Sequence, residues 1–292
     1  MTEVITNEMF FRKLKPGKRY IPLLIDVQEN KIKWLDFEQY HFYEGFFHKS
    51  INLFFALKKE QVDYVVTELD ILLDDRVSEG CLYPTGFIFH AGRSGSTLLV
   101  KVLSRSGKNH IISEAEPLNS IWQYFAANKL TDSDKRKIFT NLVLTLGRSD
   151  NRHKNYFIKF TSFNILFFQF IHHAFPDVAA IFMRRDIDEI LKSFGKKLPG
   201  WLQSENASFL KTIATIITDD PRTMIQCFFE EASKYSPEIL MPVEYKNLNS
   251  DLLPIILHHF NVKANESQLN QMQKQFLFDS KVEFNQKKFD PK

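Results

Sequence analysis

The chain has 292 residues, of which 44% are hydrophobic, enough for one large α/β domain with an appendage or for two modest domains. The formal net charge is only +3, so composition indicates no basic face for nucleic acid. No segment approaches about 18 uninterrupted apolar residues, and Cys81 and Cys227 have neither metal-ligand spacing nor the density of a disulfide scaffold. We therefore expect a soluble, cytoplasmic protein without an integral membrane segment.

The residues before position 83 differ in pattern from the rest of the chain. Apolar runs at 21–27 and 31–37 flank a polar turn, an arrangement typical of a β-hairpin. A segment dense in phenylalanine follows, and the pattern at 57–73 predicts a helix. We assign residues 1–82 to an aromatic-rich α+β extension, separated by a turn containing proline and glycine from a second domain at 83–292.

The second domain is organised around an apolar run at 87–89, a loop with two glycines, and an apolar helical pattern. Gly92 and Gly95 would let the backbone approach an anion, and the first free N–H groups of the helix would point at it. Arg93 adds a charge, while Ser96 and Thr97 add hydroxyls. A nucleotide-triphosphate loop, GxxxxGK[ST], would carry lysine where Ser96 stands, so the usual triphosphate-binding lysine is absent.

Apolar strands and helical patterns alternate after this loop, which predicts a parallel sheet with crossover helices. Polar residues follow or end three of the predicted strands: Glu114 and Glu116, then Lys159, then Arg185. Because the carboxyl ends of parallel strands meet at the edge that holds the glycine loop, we expect a ligand there.

Two motifs of this domain resemble those of the sulfotransferase family. The run Gly92-Arg93-Ser94-Gly95-Ser96-Thr97-Leu98-Leu99 resembles the 5′-phosphosulfate loop, in the form (P/G)RSG(S/T)TLL of bacterial and tyrosylprotein members. Arg185 and Ser193 have the separation of the second motif, RxPxDxxxSxx, although Ile187 stands where proline is common. The two motifs occur in the family's order, and the resemblance leaves the extension unexplained.

The resemblance implies an α/β, three-layer, P-loop-like fold with a central parallel sheet flanked by helices. It also implies that the donor is 3′-phosphoadenosine 5′-phosphosulfate (PAPS), with its 3′-phosphate on Arg185 and Ser193. The residues implied for the 5′-phosphate are Gly92, Arg93, Ser94, Gly95, Ser96 and Thr97. In this family the C-terminal segment commonly covers the nucleotide, which makes Ser280 and Lys281 candidates for binding it, although a solvated tail is an equal alternative on composition.

Sulfuryl transfer needs stabilisation of charge at the leaving oxygen, a base for the acceptor, and in-line positioning. Arg93 and Lys159 are the candidates for the first role. Glu114 is preferred to Glu116 as the base, because its spacing from the loop arginine resembles that in tyrosylprotein sulfotransferases and because Ser113 precedes it, as in the SEP run of bacterial relatives. Cytosolic members use the histidine of a KTH run, but here that run reads Lys-Phe-Thr.

Two other classes of protein stay open. A magnesium-dependent kinase or nucleotide hydrolase is favoured by the glycine loop and by a strand ending near Asp186, and disfavoured by the missing lysine. A non-catalytic nucleotide-binding module would keep the fold without the reaction. We expect no metal and no nucleic-acid partner. The acceptor, whether a small molecule, a carbohydrate or a protein, cannot be assigned, and the aromatic extension could line its pocket or form a homodimer contact.

Overall fold

The computed structural model describes residues 2–278 except 16–17, 39, 41, 43–44, 59–61, 63, 150–151 and 196–219. A four-stranded sheet forms the first part, in the order β1-β4-β3-β2. Its strands are β1 (Thr2–Val4), β2 (Tyr20–Asp26), β3 (Lys31–Asp36) and β4 (Tyr64–Glu68). Helices α1 (Asn7–Lys13) and α2 (Phe47–Lys58) belong to this part. Strands β2 and β3 pair antiparallel, so the predicted hairpin is confirmed.

The helix predicted at 57–73 is wrong. Helix α2 ends at Lys58, residues 64–68 form strand β4, and Leu69–Leu73 is a 3₁₀ helix. Tyr64 and the β-branched Val65, Val66 and Thr67 favour an extended backbone, because branched and aromatic side chains pack well on a pleated surface. Strand β4 lies between β1 and β3, and that pairing decides between the two periodicities.

A five-stranded parallel sheet forms the second part, in the order β6-β7-β5-β8-β9. Its strands are β5 (Gly86–His90), β6 (Asn109–Ser113), β7 (Asn155–Lys159), β8 (Ala179–Arg184) and β9 (Leu240–Glu244). Strands β5 and β6 are buried along their whole length, as expected where helices cover both faces of a parallel sheet. The predicted α/β architecture is confirmed.

Helices pack on both faces of this sheet. They are α3 (Ser96–Ser104), α4 (Pro117–Ala127), α5 (Asp132–Leu146), α6 (Phe168–Ala174), α7 (Ile187–Phe194), α8 (Pro221–Ser233), α9 (Leu253–His259) and α10 (Glu266–Lys274). From β5 the chain runs to the edge of the sheet to form β6 and returns to form β7 between β6 and β5. It then forms β8 and β9 on the other side of β5. The loop after β5 therefore lies where the winding reverses, the usual place of a ligand in such sheets.

The two sheets are joined by a shared core and by two buried arginines. One hydrophobic cluster contains both Trp34 of β3 and Phe139 of α5. The Arg148 side chain, which follows α5, donates to the carbonyl oxygen of Tyr20 at 3.1 Å, and Arg19 donates to the carbonyl oxygen of Arg148 at 3.4 Å. These bonds hold β2 against the helix layer of the parallel sheet. None of the helices in the described residues is long and apolar enough to cross a membrane.

Candidate active site

The loop between β5 and α3 has the backbone of an anion-binding turn. Gly92, Arg93 and Gly95 adopt φ angles of +84°, +49° and +86°. Glycine is required at position 95 for space as well as for its φ angle, because an added Cβ would lie 2.7 Å from the ring of Tyr245. Helix α3 begins at Ser96, so the backbone N–H groups of its first turn, which have no acceptor within the helix, adjoin this loop.

The side chains of the loop offer a charge and a hydroxyl to an anion. Arg93 is exposed and, within the described part of the chain, its guanidinium makes no ion pair. Ser94 is fully buried, and its Oγ has no hydrogen-bond partner among the described residues. A buried hydroxyl without a partner is costly unless a ligand or water completes it. Ser96 is buried and Thr97 is half-buried on the first turn of α3.

Glu114 and Lys159 meet at the carboxyl ends of β6 and β7. The Lys159 ammonium lies 2.7 Å from Glu114 Oε1, and the Glu114 N–H donates to the Lys159 carbonyl oxygen at 2.7 Å. The Lys159 side chain is fully buried, whereas that of Glu114 is 20% exposed. Glu114 has a φ angle of +54°, a strained backbone for a residue with a Cβ. The backbone of Glu114 is thus fixed between β6 and β7, and the Lys159 ammonium holds its carboxylate.

The charge state of Glu114 follows from this environment. Burial alone would raise the pKa of its carboxyl, but the Lys159 ammonium and the His90 ring act against burial and hold that pKa at about 2. Burial also lowers the pKa of His90, although Glu114 acts in the opposite direction. At neutral pH the site therefore holds an ionised carboxylate beside a neutral imidazole.

Lys159 is also contacted by the extension. Its ammonium donates to the carbonyl oxygen of Gly45 at 3.3 Å and to Thr97 Oγ1 at 3.4 Å, and it lies 4.4 Å from the centre of the Phe46 ring. Gly45 packs so closely on the loop helix that an added Cβ would lie 2.5 Å from Cγ2 of Thr97. The segment of Gly45 and Phe46 therefore closes one side of the site.

Glu116 occupies a different environment from Glu114. It is the exposed N-cap residue of α4, and its Oε1 accepts a hydrogen bond from Ser120 Oγ at 2.9 Å. Its side chain thus binds its own helix, whereas that of Glu114 binds the neighbouring strand.

Arg185 joins the end of β8 to the loop. Its Nη1 donates to the Arg93 carbonyl oxygen at 3.3 Å, its Nε donates to Glu189 at 2.7 Å, and its guanidinium lies 4.5 Å from the centre of the Tyr245 ring. Arg185 and Tyr245 line a surface groove of about 570 Å³. The guanidinium is stacked over the ring of Tyr245, which holds the arginine at this groove, where a guanidinium can bind an anion.

Ser193 lies exposed near the end of α7. The next residue, Phe194, packs beside the loop, since a Cβ added to Gly92 would lie 3.5 Å from its ring. Asp186 is the N-cap residue of α7, because its side chain accepts a hydrogen bond from the Glu189 N–H at 3.1 Å. Ser280 and Lys281 lie outside the described residues, so their predicted role stays a prediction.

Sequence reasoning missed four residues of this site: His90, Gly45, Phe46 and Tyr245. His90 adjoins the loop and could have been singled out as a polar residue ending a buried strand. Tyr245 directly follows strand β9 and could have been singled out as a residue at the carboxyl end of a predicted strand. Nothing in the local pattern of the extension indicates that Gly45 and Phe46 reach the site.

A parallel sheet with a glycine loop at its winding reversal, and with cations at the adjoining strand ends, is the arrangement of an α/β protein suited to phosphate-type anions. The sequence profile of the sulfotransferase family matches residues 84–256, which is more than half of the chain. The chain belongs to the sulfotransferase family, and the resemblance seen in its motifs is confirmed at that level. Membership assigns it to a class of proteins that transfer sulfuryl groups.

Solved sulfotransferases are similar to the chain at low identity. STF1 from Mycobacterium tuberculosis H37Rv is 12% identical, with a TM-score of 0.43 over 84% of this chain and 86% of that one. A sulfotransferase from Alicyclobacillus acidocaldarius is 13% identical, with a TM-score of 0.41 over 70% of this chain and 88% of that one. A search of curated proteins finds no significant match.

Proposed function

We propose that the chain transfers a sulfuryl group from PAPS to the hydroxyl or amine of an acceptor, with Glu114 as the base and without a metal ion. The observation that carries the proposal is the ion pair of Lys159 and Glu114 beside the glycine loop. This pair would supply a cation for the leaving phosphate and an ionised carboxylate for the acceptor proton at one edge of the sheet.

The groups around the loop fit a phosphosulfate. The N–H groups at the start of α3, the buried Ser94 hydroxyl and the Arg93 guanidinium would hold the 5′-phosphate end. Arg185 and Ser193 would hold the 3′-phosphate, and the hydrogen bond of Arg185 to the Arg93 carbonyl oxygen keeps that arginine beside the loop. Ser280 and Lys281 are proposed as further nucleotide contacts on the family resemblance alone.

The bond changes assign a task to each group. The donor, when bound, supplies the sulfuryl group, and the bisphosphate nucleotide is the second product. The sulfur–oxygen bond to the 5′-phosphate breaks as a new sulfur–oxygen or sulfur–nitrogen bond forms to the acceptor. Glu114 takes the proton from the acceptor, while Arg93 and Lys159 stabilise the negative charge that develops on the phosphate.

Lys159 has to change partners during this reaction. A carboxylate with a pKa of about 2 is ionised but only weakly basic, and a general base works best when its pKa lies near the operating pH. If the ammonium of Lys159 turns from Glu114 towards the phosphate, the carboxylate loses the cation that depresses its pKa and becomes a stronger base. Donor binding and activation of the base are thereby coupled through one side chain.

The test is a transfer assay. The protein is incubated with sulfur-labelled PAPS and separate panels of phenols, carbohydrates and peptides, and in a parallel arm with labelled ATP and magnesium. We expect label in at least one acceptor panel, with release of 3′,5′-bisphosphoadenosine. Transfer of label from ATP, or binding of the bisphosphate without transfer to any acceptor in a fractionated cell extract, would assign the chain to one of the two other classes.

A further inference from the structure

His90, the last residue of β5, lies buried between the glycine loop and Glu114. Its side chain is 7% exposed. On one side, Nδ1 accepts a hydrogen bond from the Gly92 N–H at 3.0 Å and lies 3.1 Å from Ser162 Oγ. On the other side, Nε2 lies 3.3 Å from Glu114 Oε1. One ring thus adjoins both the loop expected to bind the donor and the proposed base.

The hydrogen bond from Gly92 determines where the ring carries its proton. A backbone N–H can only donate, so Nδ1 of His90 must be the acceptor and carries no proton. Because burial lowers the pKa of His90, the ring is neutral at neutral pH, and its single proton is on Nε2. The N–H group of His90 is therefore on the side of Glu114.

That N–H group has no hydrogen-bond partner of proper geometry among the described residues, although the Phe160 backbone lies near the ring and, like Glu114, acts to raise the pKa of His90. Glu114 Oε1 lies 3.3 Å from Nε2 of His90, but the Lys159 ammonium holds the same oxygen at the shorter distance of 2.7 Å. A buried donor without an acceptor costs free energy that simple packing of the ring does not explain. A small rotation of the carboxylate would complete the bond once Lys159 no longer holds that oxygen.

We infer that His90 is a positioning residue that links the donor loop to the base: Nδ1 fixes the turn at Gly92, and Nε2–H holds the Glu114 carboxylate when Lys159 turns to the donor. The inference rests on the proposed function. His90 itself is not the base, because Nδ1 is occupied by Gly92 and Nε2 already carries a proton.

Two substitutions separate the two halves of this role. In His90→Asn, the side-chain oxygen can replace Nδ1 towards Gly92, but nothing reaches Glu114. In His90→Gln, the longer amide can replace Nε2–H towards Glu114, but the acceptor for Gly92 is lost. His173→Asn on α6 is the matched control, since His173 is exposed. Each variant is measured for bisphosphate affinity by calorimetry, for kcat, and for thermal unfolding.

We expect one substitution to lower kcat alone and the other to lower bisphosphate affinity alone. His90→Asn should bind the bisphosphate within about threefold of the wild type and lose about 10- to 100-fold in kcat, the usual effect of one hydrogen bond to a charged group. His90→Gln should show the reverse, with bisphosphate affinity lowered about tenfold and kcat within about threefold. His173→Asn should match the wild type in both. A purely structural histidine would make the two substitutions lower affinity and kcat together.

A double-mutant cycle covers the case in which His90→Asn does not fold. His90→Phe keeps a ring without an N–H group and should itself lower kcat about 10- to 100-fold; if the ring acts through Glu114, His90→Phe combined with Glu114→Gln should lose no more kcat than Glu114→Gln alone. An additional loss would overturn the inference, as would equal defects of the two single variants. If the wild type is active and these tests fail, only the role of His90 is wrong. A wild type that neither binds the bisphosphate nor sulfates an acceptor overturns the proposed function and this inference together.

Discussion

The carbonyl oxygen of Gly45 accepts a hydrogen bond from the Lys159 ammonium at 3.3 Å. Gly45 belongs to the extension, which the family profile does not cover, and Lys159 belongs to the parallel sheet. The extension is therefore part of the site, and substitutions in it should alter function.

Gly45→Ala tests this contact. The added methyl group would lie 2.5 Å from Cγ2 of Thr97, so the loop helix or the extension must shift. We expect bisphosphate affinity to fall about three- to tenfold, with a loss of stability of about 1–3 kcal/mol, which is typical of overpacking. Calorimetry and denaturant unfolding measure the two effects. Wild-type affinity in a variant of lowered stability would show that the extension only packs against the domain.

Arg185→Ala tests recognition of the 3′-phosphate. A hydrogen bond to a charged group is worth roughly 1.5–3 kcal/mol, so the substitution should weaken binding of 3′,5′-bisphosphoadenosine by at least about tenfold. AMP, which lacks the 3′-phosphate, should lose little. Arg76→Ala is the matched control, because the exposed Arg76 forms ion pairs with Glu8 and Asp74 and does not line the groove. Equal affinity of the wild-type protein for the two nucleotides would contradict the assignment of Arg185 to the 3′-phosphate.

The glycine loop and its helix were predictable because the information is local. Gly92 and Gly95 are required by positive φ angles, and a buried strand directly precedes them. The meeting of Glu114 and Lys159 was also within reach, since both follow from parallel strands that share a carboxyl edge. The roles of these residues stay predictions.

Contacts between distant segments were not predictable in the same way. Gly45 and Lys159 are 114 positions apart, and only the packing of the extension on α3 brings them together. Strand β4 was misassigned for a related reason: its alternation over five residues is too short to exclude a helix until β1 and β3 pair with it. His90 was overlooked because its function depends on what faces each ring nitrogen.

Chelation should leave turnover intact. Arg93, Lys159 and Arg185 supply cations at the site, and a sulfuryl group in transfer carries less negative charge than a terminal phosphoryl group. Activity measured in excess EDTA should therefore equal activity in its absence. Complete loss in EDTA, restored by magnesium, would instead favour the kinase or nucleotide hydrolase.

The ion pair of Glu114 should make folding stability depend on pH. The pKa of Glu114 is about 2 in the folded protein and near 4.5 without the fold, so its contribution of about 3 kcal/mol is fully present above the unfolded value and is lost as pH falls towards 2. In Lys159→Met, Glu114 stays buried but has lost its cation, so burial raises the pKa of Glu114 above its value without the fold. The ionised carboxylate then destabilises the folded protein at neutral pH instead of stabilising it.

Unfolding of the wild type and of Lys159→Met is compared between pH 7 and pH 4. The difference in unfolding free energy between the wild type and Lys159→Met should be largest at pH 7 and should shrink at acidic pH. Arg184→Ala, which breaks a surface pair, serves as the control and should show no such trend. A deficit that is the same at every pH would mean that Lys159 contributes packing and not charge.

Glu114→Gln separates the base from the nucleotide site. Glutamine has the same shape and can still accept a hydrogen bond from Lys159, but it cannot take up a proton. Bisphosphate affinity should fall by no more than about threefold, and it should rise if Lys159 binds the phosphate more readily without an ionised partner, while kcat falls by roughly 10²–10⁴, the usual range for loss of a general base. Glu116→Gln is the control, and it should lose far less, because the Glu116 side chain accepts from Ser120 on its own helix. If Glu116→Gln were inactive and Glu114→Gln nearly normal, family membership would stand, but the base would be Glu116, and the pair with Lys159 would have only a structural role.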